Sequence, residues 1–187
     1  MNALVSRLAL ALALGASAIG ALAAAHREKP FSYTADDSID IAGVYQPVHE
    51  PFVIGHYKLD GIRVDSVQDF RLYEKEKRHS HTSAPIRVMF GDPSIVPADS
   101  DLTDDPPDYE LYALPRSYRI ENESIAFDGY HPKLGRVTFR GKLDRAAIKA
   151  ANAQDSAVSD GSVLKGNLTV GGKLYSDVEF FWFNGDP

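Results

Sequence analysis

The stretch that decides the fold is SVLKGNLTVGGKLYSDVEFFW, residues 162–182. Apolar and polar residues alternate on both sides of Gly171-Gly172, which is typical of two β-strands joined by a tight turn. Glycine supplies the positive φ angles that such turns need. This hairpin predicts an all-β or mostly β protein.

The register of the hairpin depends on the length of its loop. A three-residue loop, Gly171–Lys173, sets Leu164 opposite Phe180 and the cation Lys165 opposite the anion Glu179. A two-residue loop sets Leu164 against Glu179, because a slip of one residue moves a whole strand to the wrong face. We therefore predict three residues, although a β-bulge would give the same result. The predicted pairs nearer the loop are Val170 with Leu174, Leu168 with Ser176, Thr169 with Tyr175 and Asn167 with Asp177.

The first 25 residues have the layout of a secretory signal peptide. Arg7 is their only charged residue, and everything after it is Leu, Ala, Ile, Gly or Ser. Ala21-Leu22-Ala23 and Ala23-Ala24-Ala25 both fit an A-x-A cleavage site. A retained membrane anchor is the alternative, but the apolar run is barely long enough to span and is rich in Ala. We expect a signal peptide at 1–25, one β-rich domain at 26–187, and a periplasmic or secreted protein.

Composition narrows the function classes. The signal segment carries one Arg and no acid, so its removal takes the formal charge from −6 to −7. A chain this acidic is not expected to bind nucleic acid or an anionic membrane surface. No cysteine is present, which excludes disulfides, thiolate catalysis and Cys-ligated zinc. The domain must be held by its core alone, and we expect no membrane span after cleavage.

Strand patterns recur between the signal segment and the C-terminal hairpin. Val67–Lys77 is ambiguous, because Phe70 and Leu72 alternate as in a strand while the Glu/Lys-rich end suits a helix; we predict a strand. Asp144 is predicted to cap a short helix, Arg145–Ala153. The other predicted elements are a strand at Ser38–Tyr45, a hairpin turning at Asp60-Gly61, a strand at Pro85–Phe90, a hairpin over Ser117–Phe127 and a strand at Gly135–Leu143.

Together these patterns predict an antiparallel β-sandwich or a small β-barrel, with one short helix before the C-terminal hairpin. The chain length and the helix before the last hairpin resemble those of calycin-like barrels. Gly43-Val44-Tyr45 resembles the early Gly-x-Trp of that family. The match covers three residues, has Tyr in place of Trp, and carries no function over.

An acidic, proline-rich stretch at 91–115 predicts a long surface loop. Counting from Asp99, the residues Asp101 and Glu110 fall on the third and twelfth positions of an EF-hand loop. The sixth position is Asp104, where the sharp turn of that loop requires Gly, and prolines follow. A solvated acidic loop is therefore favoured, and a calcium site at Asp99, Asp101 and Glu110 is the alternative.

His79 and His81 lie two residues apart in the sequence RHSHT. On a strand both side chains would face the same side, a spacing that suits zinc or copper. Lys75, Lys77 and Arg78 lie beside them, and these cations oppose a metal ion. A polar surface loop is therefore favoured over a metal site.

His26 becomes a chelating group if the signal peptide is removed. Cleavage after Ala25 would let its amine and imidazole bind one Cu(II) ion together, an arrangement that resembles the copper brace of lytic polysaccharide monooxygenases and periplasmic copper carriers. Cleavage after Ala23 would leave an Ala-Ala-His chelate. A functional brace would also need a second imidazole, for which His79, His81 or His131 are the available donors.

Tyr175, Phe181 and Phe183 are predicted to share the hairpin face opposite the core. If that face is open, they form an apolar binding surface; if it is covered, they belong to the core. A basic stripe is formed by Lys133, Arg136, Arg140 and Lys142. Its members either face an anionic partner or pair with carboxylates of this chain, and pairing within the chain is favoured.

No familiar catalytic signature is present: there is no G-x-S-x-G, Walker loop, H-E-x-x-H or G-x-G-x-x-G. The sequence favours an exported binding or interaction module for an unidentified ligand or protein partner. No cofactor is expected, with copper and calcium as the alternatives. The second hypothesis is a periplasmic copper-binding protein using His26. An enzyme such as a glycan hydrolase is the third, and would need two carboxylates about 5–10 Å apart.

Overall fold

The fold is given by a computed structural model, which describes residues 31–49, 51–76, 84–94, 110–153 and 158–184. Of Glu110 only the backbone is described. The elements are β1 Phe31–Tyr33, β2 Gly43–Pro47, β3 Phe52–Ile54, β4 Tyr57–Val64, α1 Val67–Lys75, β5 Ile86–Gly91, β6 Glu110–Glu121, β7 Ser124–His131, β8 Gly135–Leu143, α2 Arg145–Ala153, β9 Val158–Val170 and β10 Lys173–Phe183.

Eight strands close into an antiparallel barrel. They follow the order β2-β4-β5-β6-β7-β8-β9-β10, and β10 pairs back onto β2. The remaining two strands lie beside this ring: β1 pairs in parallel with β6, and β3 pairs with β4. The protein is therefore mainly β, and of the two predicted architectures the barrel is the one it adopts.

The C-terminal hairpin has the predicted far register but a different loop. Its turn has two residues, Gly171 and Gly172, with φ of +57° and +87°, and Val170 faces Lys173. The predicted loop length and the predicted partners nearest to it are therefore wrong. A β-bulge between Tyr175 and Val178 then restores the register. Beyond the bulge the predicted pairs are confirmed: Lys165 with Glu179 and Leu164 with Phe180.

The predicted turn at Asp60-Gly61 is wrong, because both residues lie inside β4. The chain turns instead at Gly55-His56, between β3 and β4, with φ of +63° at Gly55. Gly61 has another role: a Cβ atom there would lie 2.5 Å from the carbonyl oxygen of Tyr45. The glycine therefore allows a close approach of two strands rather than a reversal.

The strand predicted at Val67–Lys77 is a helix, α1. Ser66 and Asp69 form a capping box, in which each side chain bonds the backbone N–H of the other. This device fixes a helix start. Phe70 is fully buried, whereas Leu72 is more than half exposed. The described residues thus form two helices, α1 and α2, rather than the single predicted one.

The predictions for the second half of the chain are confirmed in more detail. In the β6–β7 hairpin, Tyr118 faces Phe127 and Ile120 faces Ile125. The helix α2 spans the predicted residues. Asp144 caps it, since its Oδ1 accepts the backbone N–H of Ala147 at 3.0 Å.

The interior of the barrel is filled by its own side chains. The largest fully buried side chains are Trp182, Tyr45, Phe70, Phe90, Phe139 and Phe180. The indole Nε1 of Trp182 donates to the carbonyl of Ala42 at 2.9 Å. An eight-stranded barrel is just wide enough for side chains to fill, so this core occupies the volume that a larger barrel would offer to a ligand.

The two ends of the barrel differ. At the helix end, as we call it, β4, β6, β8 and β10 finish, and α1 and α2 follow β4 and β8. At the opposite turn end lie the turns at Gly55-His56 and Gly171-Gly172. The helix end is partly closed by Phe70 of α1, whose ring lies 5.1 Å from that of Tyr118 in β6.

Candidate binding groove at the helix end

An open recess of about 630 Å³ lies at the helix end. Its walls are the end of β8, the first residues of α2, Ser162–Lys165 of β9, the β6–β7 turn and a segment containing Asp36 and Ile39. We call it the helix-end groove. Because these parts come from four separate stretches of sequence, the groove exists only once the barrel has closed.

Arg145, the first residue of α2, holds one wall of the groove in place. Its guanidinium donates to Asn122 Oδ1 at 3.2 Å, to the carbonyl of Ile39 at 2.9 Å and to the carbonyl of Asp36. The backbone N–H of Asp36 donates to the same Asn122 oxygen at 2.8 Å. Arg145 is only 8% exposed, and its Nε has no hydrogen-bond partner among the described residues. This buried cation thus ties the segment before β2 to α2.

A pair of lysines forms the second wall. Lys142 of β8 and Lys165 of β9 are direct cross-strand partners, and both side chains are exposed. Lys165 is neutralised by Glu179 at 2.9 Å and lies 3.8 Å from Asp177; the hydrogen bond to Glu179 raises the pKa of Lys165. No carboxylate in the described parts of the chain forms an ion pair with Lys142, which leaves it the uncompensated cation of the groove.

The groove also has three carboxylates, and two of them serve the backbone. Asp36 Oδ1 accepts the N–H of Ser38 at 2.9 Å, and hydrogen bonding from Ser38 lowers the pKa of Asp36. Asp144 caps α2. Glu123 lies in the β6–β7 turn with an exposed side chain, and its carboxylate has no partner among the described residues. Among the described residues, the groove therefore offers one cation and one anion without an ion pair, together with apolar residues in its lining.

Sequence patterns missed most of this site. The sequence patterns place Lys142 in the basic stripe, but they do not point to Arg145, Asn122 or Asp36 as groove residues. The contacts of Arg145 with Asp36 and Ile39 join residues more than 100 positions apart. The local signal that helps is Asp144, because the cap fixes where α2 begins and which residues stand at its first turn.

A smaller recess of about 270 Å³ lies near the start of α1. Its polar side chains bond one another: Ser66 Oγ donates to Asp69 at 2.5 Å and Arg63 Nε to Asp65 at 3.2 Å. Asp65 also accepts two hydrogen bonds from Arg87. The polar side chains named here are therefore engaged in contacts that stabilise the fold.

A histidine and a carboxylate meet at the turn end. His56 Nε2 lies 3.1 Å from Asp92 Oδ1, and the same oxygen accepts the hydroxyl of Ser94 at 2.6 Å. Hydrogen bonds from Ser94 are the main reason why the pKa of Asp92 is lowered. In a catalytic triad the histidine bridges the serine and the acid, whereas here the acid bridges the other two. The contact joins residues 36 positions apart, and no sequence motif predicted it.

The three aromatic residues of the predicted binding surface do not share a face. The bulge turns Tyr175 to the side of its partner Leu168, whose side chain is buried, and its ring packs 5.6 Å from that of Phe52. Phe181 and Phe183 face outward and are half-buried. The predicted common face is thus wrong for Tyr175, and a binding role for the three stays a prediction.

The predicted metal ligands lie mostly outside the described residues. This holds for His26, His79, His81, Asp99 and Asp101, and the Glu110 side chain is not described either. Within the ranges that the structure describes, no three His, Asp or Glu side chains are grouped closely enough to hold a metal ion. The copper, zinc and calcium hypotheses therefore stay predictions.

The basic stripe faces outward as predicted. Arg136 makes two hydrogen bonds to Asp128, at 3.1 and 2.6 Å, so this member pairs with a carboxylate of the chain. Nearby, His131 Nδ1 accepts the backbone N–H of Lys133 at 3.2 Å. Partial burial, and then the charge of Lys133, lower the pKa of His131.

Comparison with known proteins identifies no relative: no family model, curated protein or solved structure matches the chain. Among the described residues, neither helix is long and apolar enough to cross a membrane.

Proposed function

We propose that this chain is an exported binding module that holds a small polar ligand in the helix-end groove, outside the barrel. The observation that carries the proposal is the contrast between a filled interior and a charged external recess. Phe139 and Phe180, for example, pack edge to face inside the barrel with ring centres 5.5 Å apart. The groove, at about 630 Å³, is also larger than the recess of about 270 Å³ near the start of α1.

The free charges of the groove support binding. Lys142 and Glu123 have no partner among the described residues, although both line the recess. The carboxylates of Asp36 and Asp144 are already engaged by backbone N–H groups. Side chains that the fold does not use are the ones available to a ligand.

Export rests on the sequence of residues 1–25, with a single Arg before an apolar run that ends in A-x-A sites. A domain without cysteine must be stabilised by packing, and the core of large buried side chains provides that stability. The exported location and the binding role belong to one proposal.

The test is a pair of NMR titrations of the ¹⁵N-labelled domain. The dipeptide glycyl-leucine probes the groove, and dodecanoate probes the barrel interior. We expect glycyl-leucine to shift the amide signals of Asn122, Lys142 and Ser162. Lys142→Gln should weaken these shifts. Lys133→Gln is the matched control, because it removes the same charge at the other end of β8.

Two results would count against the proposal. If dodecanoate shifts the signals of interior residues such as Leu168 and Val178 while glycyl-leucine shifts nothing, the ligand site is inside the barrel. If Lys133→Gln weakens binding as much as Lys142→Gln, the effect comes from net charge rather than from the groove.

A further inference from the structure

The two lysines of the helix-end groove and two of its three carboxylates stand on different elements. The cations Lys142 and Lys165 stand side by side on β8 and β9. The carboxylate of Asp36 stands on the segment before β2, and that of Glu123 stands on the β6–β7 turn. The two elements are joined by a hydrogen bond from the backbone N–H of Asp36 to Asn122 Oδ1. We call the lysine pair the basic wall and the pair of carboxylates the acidic wall; the third carboxylate, Asp144, adjoins the basic wall and caps α2. A groove with both walls is complementary to a ligand that carries both charges.

The basic wall is suited to an anionic group. Like charges on direct cross-strand partners repel each other, with Cβ atoms about 4.5–5.5 Å apart. Glu179 offsets the charge of Lys165 from the outer side of β10, at 2.9 Å. Lys142 forms no ion pair with any described residue, so a ligand carboxylate beside Lys142 would give it the kind of partner that Glu179 provides for Lys165.

The acidic wall is suited to a cationic group with several N–H donors. The free carboxylate of Glu123 can accept two or more hydrogen bonds. Asp36 has a second carboxylate oxygen beyond the one that accepts from Ser38. An ammonium group has three donors and no acceptor, which matches a wall made of carboxylate oxygens.

Other ligand classes fit less well. A simple anion would meet three carboxylates, those of Asp36, Glu123 and Asp144, in the same recess. A simple cation would meet Lys142, Lys165 and the buried guanidinium of Arg145. A sugar ring commonly stacks on an aromatic side chain, and the residues that line the groove include none.

We infer that the ligand of the helix-end groove is a small zwitterion of the amino-acid type, with a carboxylate bound beside Lys142 and an ammonium group bound beside Glu123. The aliphatic part of the ligand lies against apolar residues of the groove lining such as Ile39, Ala146 and Val163. This inference rests on the proposed function, since it specifies the ligand class of the same groove.

The experiment compares four forms of one dipeptide by calorimetric titration. Glycyl-leucine carries both charges, and N-acetyl-glycyl-leucine carries only the negative one. Glycyl-leucine amide carries only the positive charge, and N-acetyl-glycyl-leucine amide carries neither. Free leucine is a fifth probe that separates an amino-acid site from a dipeptide site. We expect affinity to fall about tenfold when either charge is blocked, the equivalent of one hydrogen bond to a charged group.

Variants assign each charge to its wall. Lys142→Gln should lower the affinity for glycyl-leucine but barely change that for the amide, which has no carboxylate to lose. Glu123→Gln should lower the affinity for glycyl-leucine but barely change that for N-acetyl-glycyl-leucine, which has no ammonium group to lose. Lys133→Gln, at the turn end of β8, should leave all four affinities unchanged.

The outcomes distinguish this inference from the proposed function. If either blocked dipeptide binds as tightly as glycyl-leucine and still shifts groove amides, the groove binds ligands but the zwitterion inference is wrong. If no probe shifts any groove amide, the proposed function fails as well. Equal losses in Lys142→Gln for all four dipeptides would also overturn the assignment of the carboxylate to Lys142.

Discussion

Replacing Arg145 by Met tests whether the buried guanidinium builds the groove. Met keeps an unbranched apolar side chain but removes every donor. The carbonyls of Asp36 and Ile39 and the amide oxygen of Asn122 then lose a hydrogen bond from a charged group. The segment before β2 should detach from α2, and the protein should lose stability.

The size of the loss follows from opposing terms. Hydrogen bonds to charged groups contribute about 1.5–3 kcal/mol each, and an acceptor left unpaired in a buried place costs about 1–3 kcal/mol. Met removes the desolvation cost of a guanidinium that is only 8% exposed, and with it an unpaired Nε. Because Asn122 keeps the N–H of Asp36 as a donor, we expect a net loss of about 2–4 kcal/mol.

Urea unfolding of Arg145→Met, followed by the fluorescence of Trp182, measures this loss. The matched control is Lys149→Met, an exposed position on the same helix, which should change stability by about 0.5 kcal/mol or less. Amide exchange at Asp36 gives a local readout, because its N–H bonds to Asn122. The reasoning is refuted if Arg145→Met is as stable as Lys149→Met, or if exchange at Asp36 does not accelerate.

Three further predictions concern other parts of the barrel. Gly43→Ala should cost about 2–5 kcal/mol in urea unfolding, because φ is +142° and the new Cβ would lie 2.5 Å from Trp182 Nε1; an unchanged midpoint would contradict this. Lys133→Ala should raise the pKa of His131 in an NMR titration. Because the folded pKa is lowered, the unfolded chain binds the proton more tightly, and stability should rise with pH up to about 6.5; an unmoved titration would refute the role of Lys133. Asp177→Gly should stabilise the protein by about 0.5–1 kcal/mol, because Asp177 has a φ of +54°, a left-handed conformation that is strained for most L-residues and free for glycine, whereas Asp177→Ala should not.

The C-terminal hairpin shows why its far register was predictable although its turn was not. The alternation of apolar residues demands that Leu164 face Phe180, whatever the loop does. A three-residue loop satisfies this demand, and so does a two-residue turn followed by a bulge. The chain takes the second solution, with Asp177 at positive φ and its N–H bonded to Asn167 Oδ1 at 3.2 Å. Pattern fixes which residues pair, whereas local backbone chemistry decides how the chain reaches that pairing.

The two wrong elements have a common physical cause. Asp60-Gly61 suits a tight turn, but Gly61 is needed where β4 passes close to Tyr45. Val67–Lys77 alternates weakly, but the capping box at Ser66 starts a helix that buries Phe70 in the end of the barrel. In both places a tertiary contact selected the conformation over a local preference. The predicted hairpin over Ser117–Phe127 succeeded because its pattern and its contacts agree.

The groove could not be predicted in the same way. Its walls meet because the barrel closes and because Arg145 reaches carbonyls far away in the sequence. Periodicity places the outward side chains Lys142 and Lys165 on their strands, but only the register of β8 against β9 makes them neighbours. Sequence reasoning could therefore find the charged side chains and not the recess that they border.

Arg145 and Lys142 line the same groove but should respond to mutation in opposite ways. Arg145 is buried and satisfies carbonyls of the chain, so its loss should first lower the free energy of unfolding and affect binding through the displaced wall. Lys142 is exposed, has no ion pair among the described residues and faces a like charge, so Lys142→Gln should change stability by about 0.5 kcal/mol or less. A lysine that contributes little to the fold but is needed for a free carboxylate on the ligand is a ligand contact. If Lys142→Gln instead unfolded as easily as Arg145→Met, both residues would be parts of the scaffold, and the groove would be a feature of barrel closure rather than a binding site.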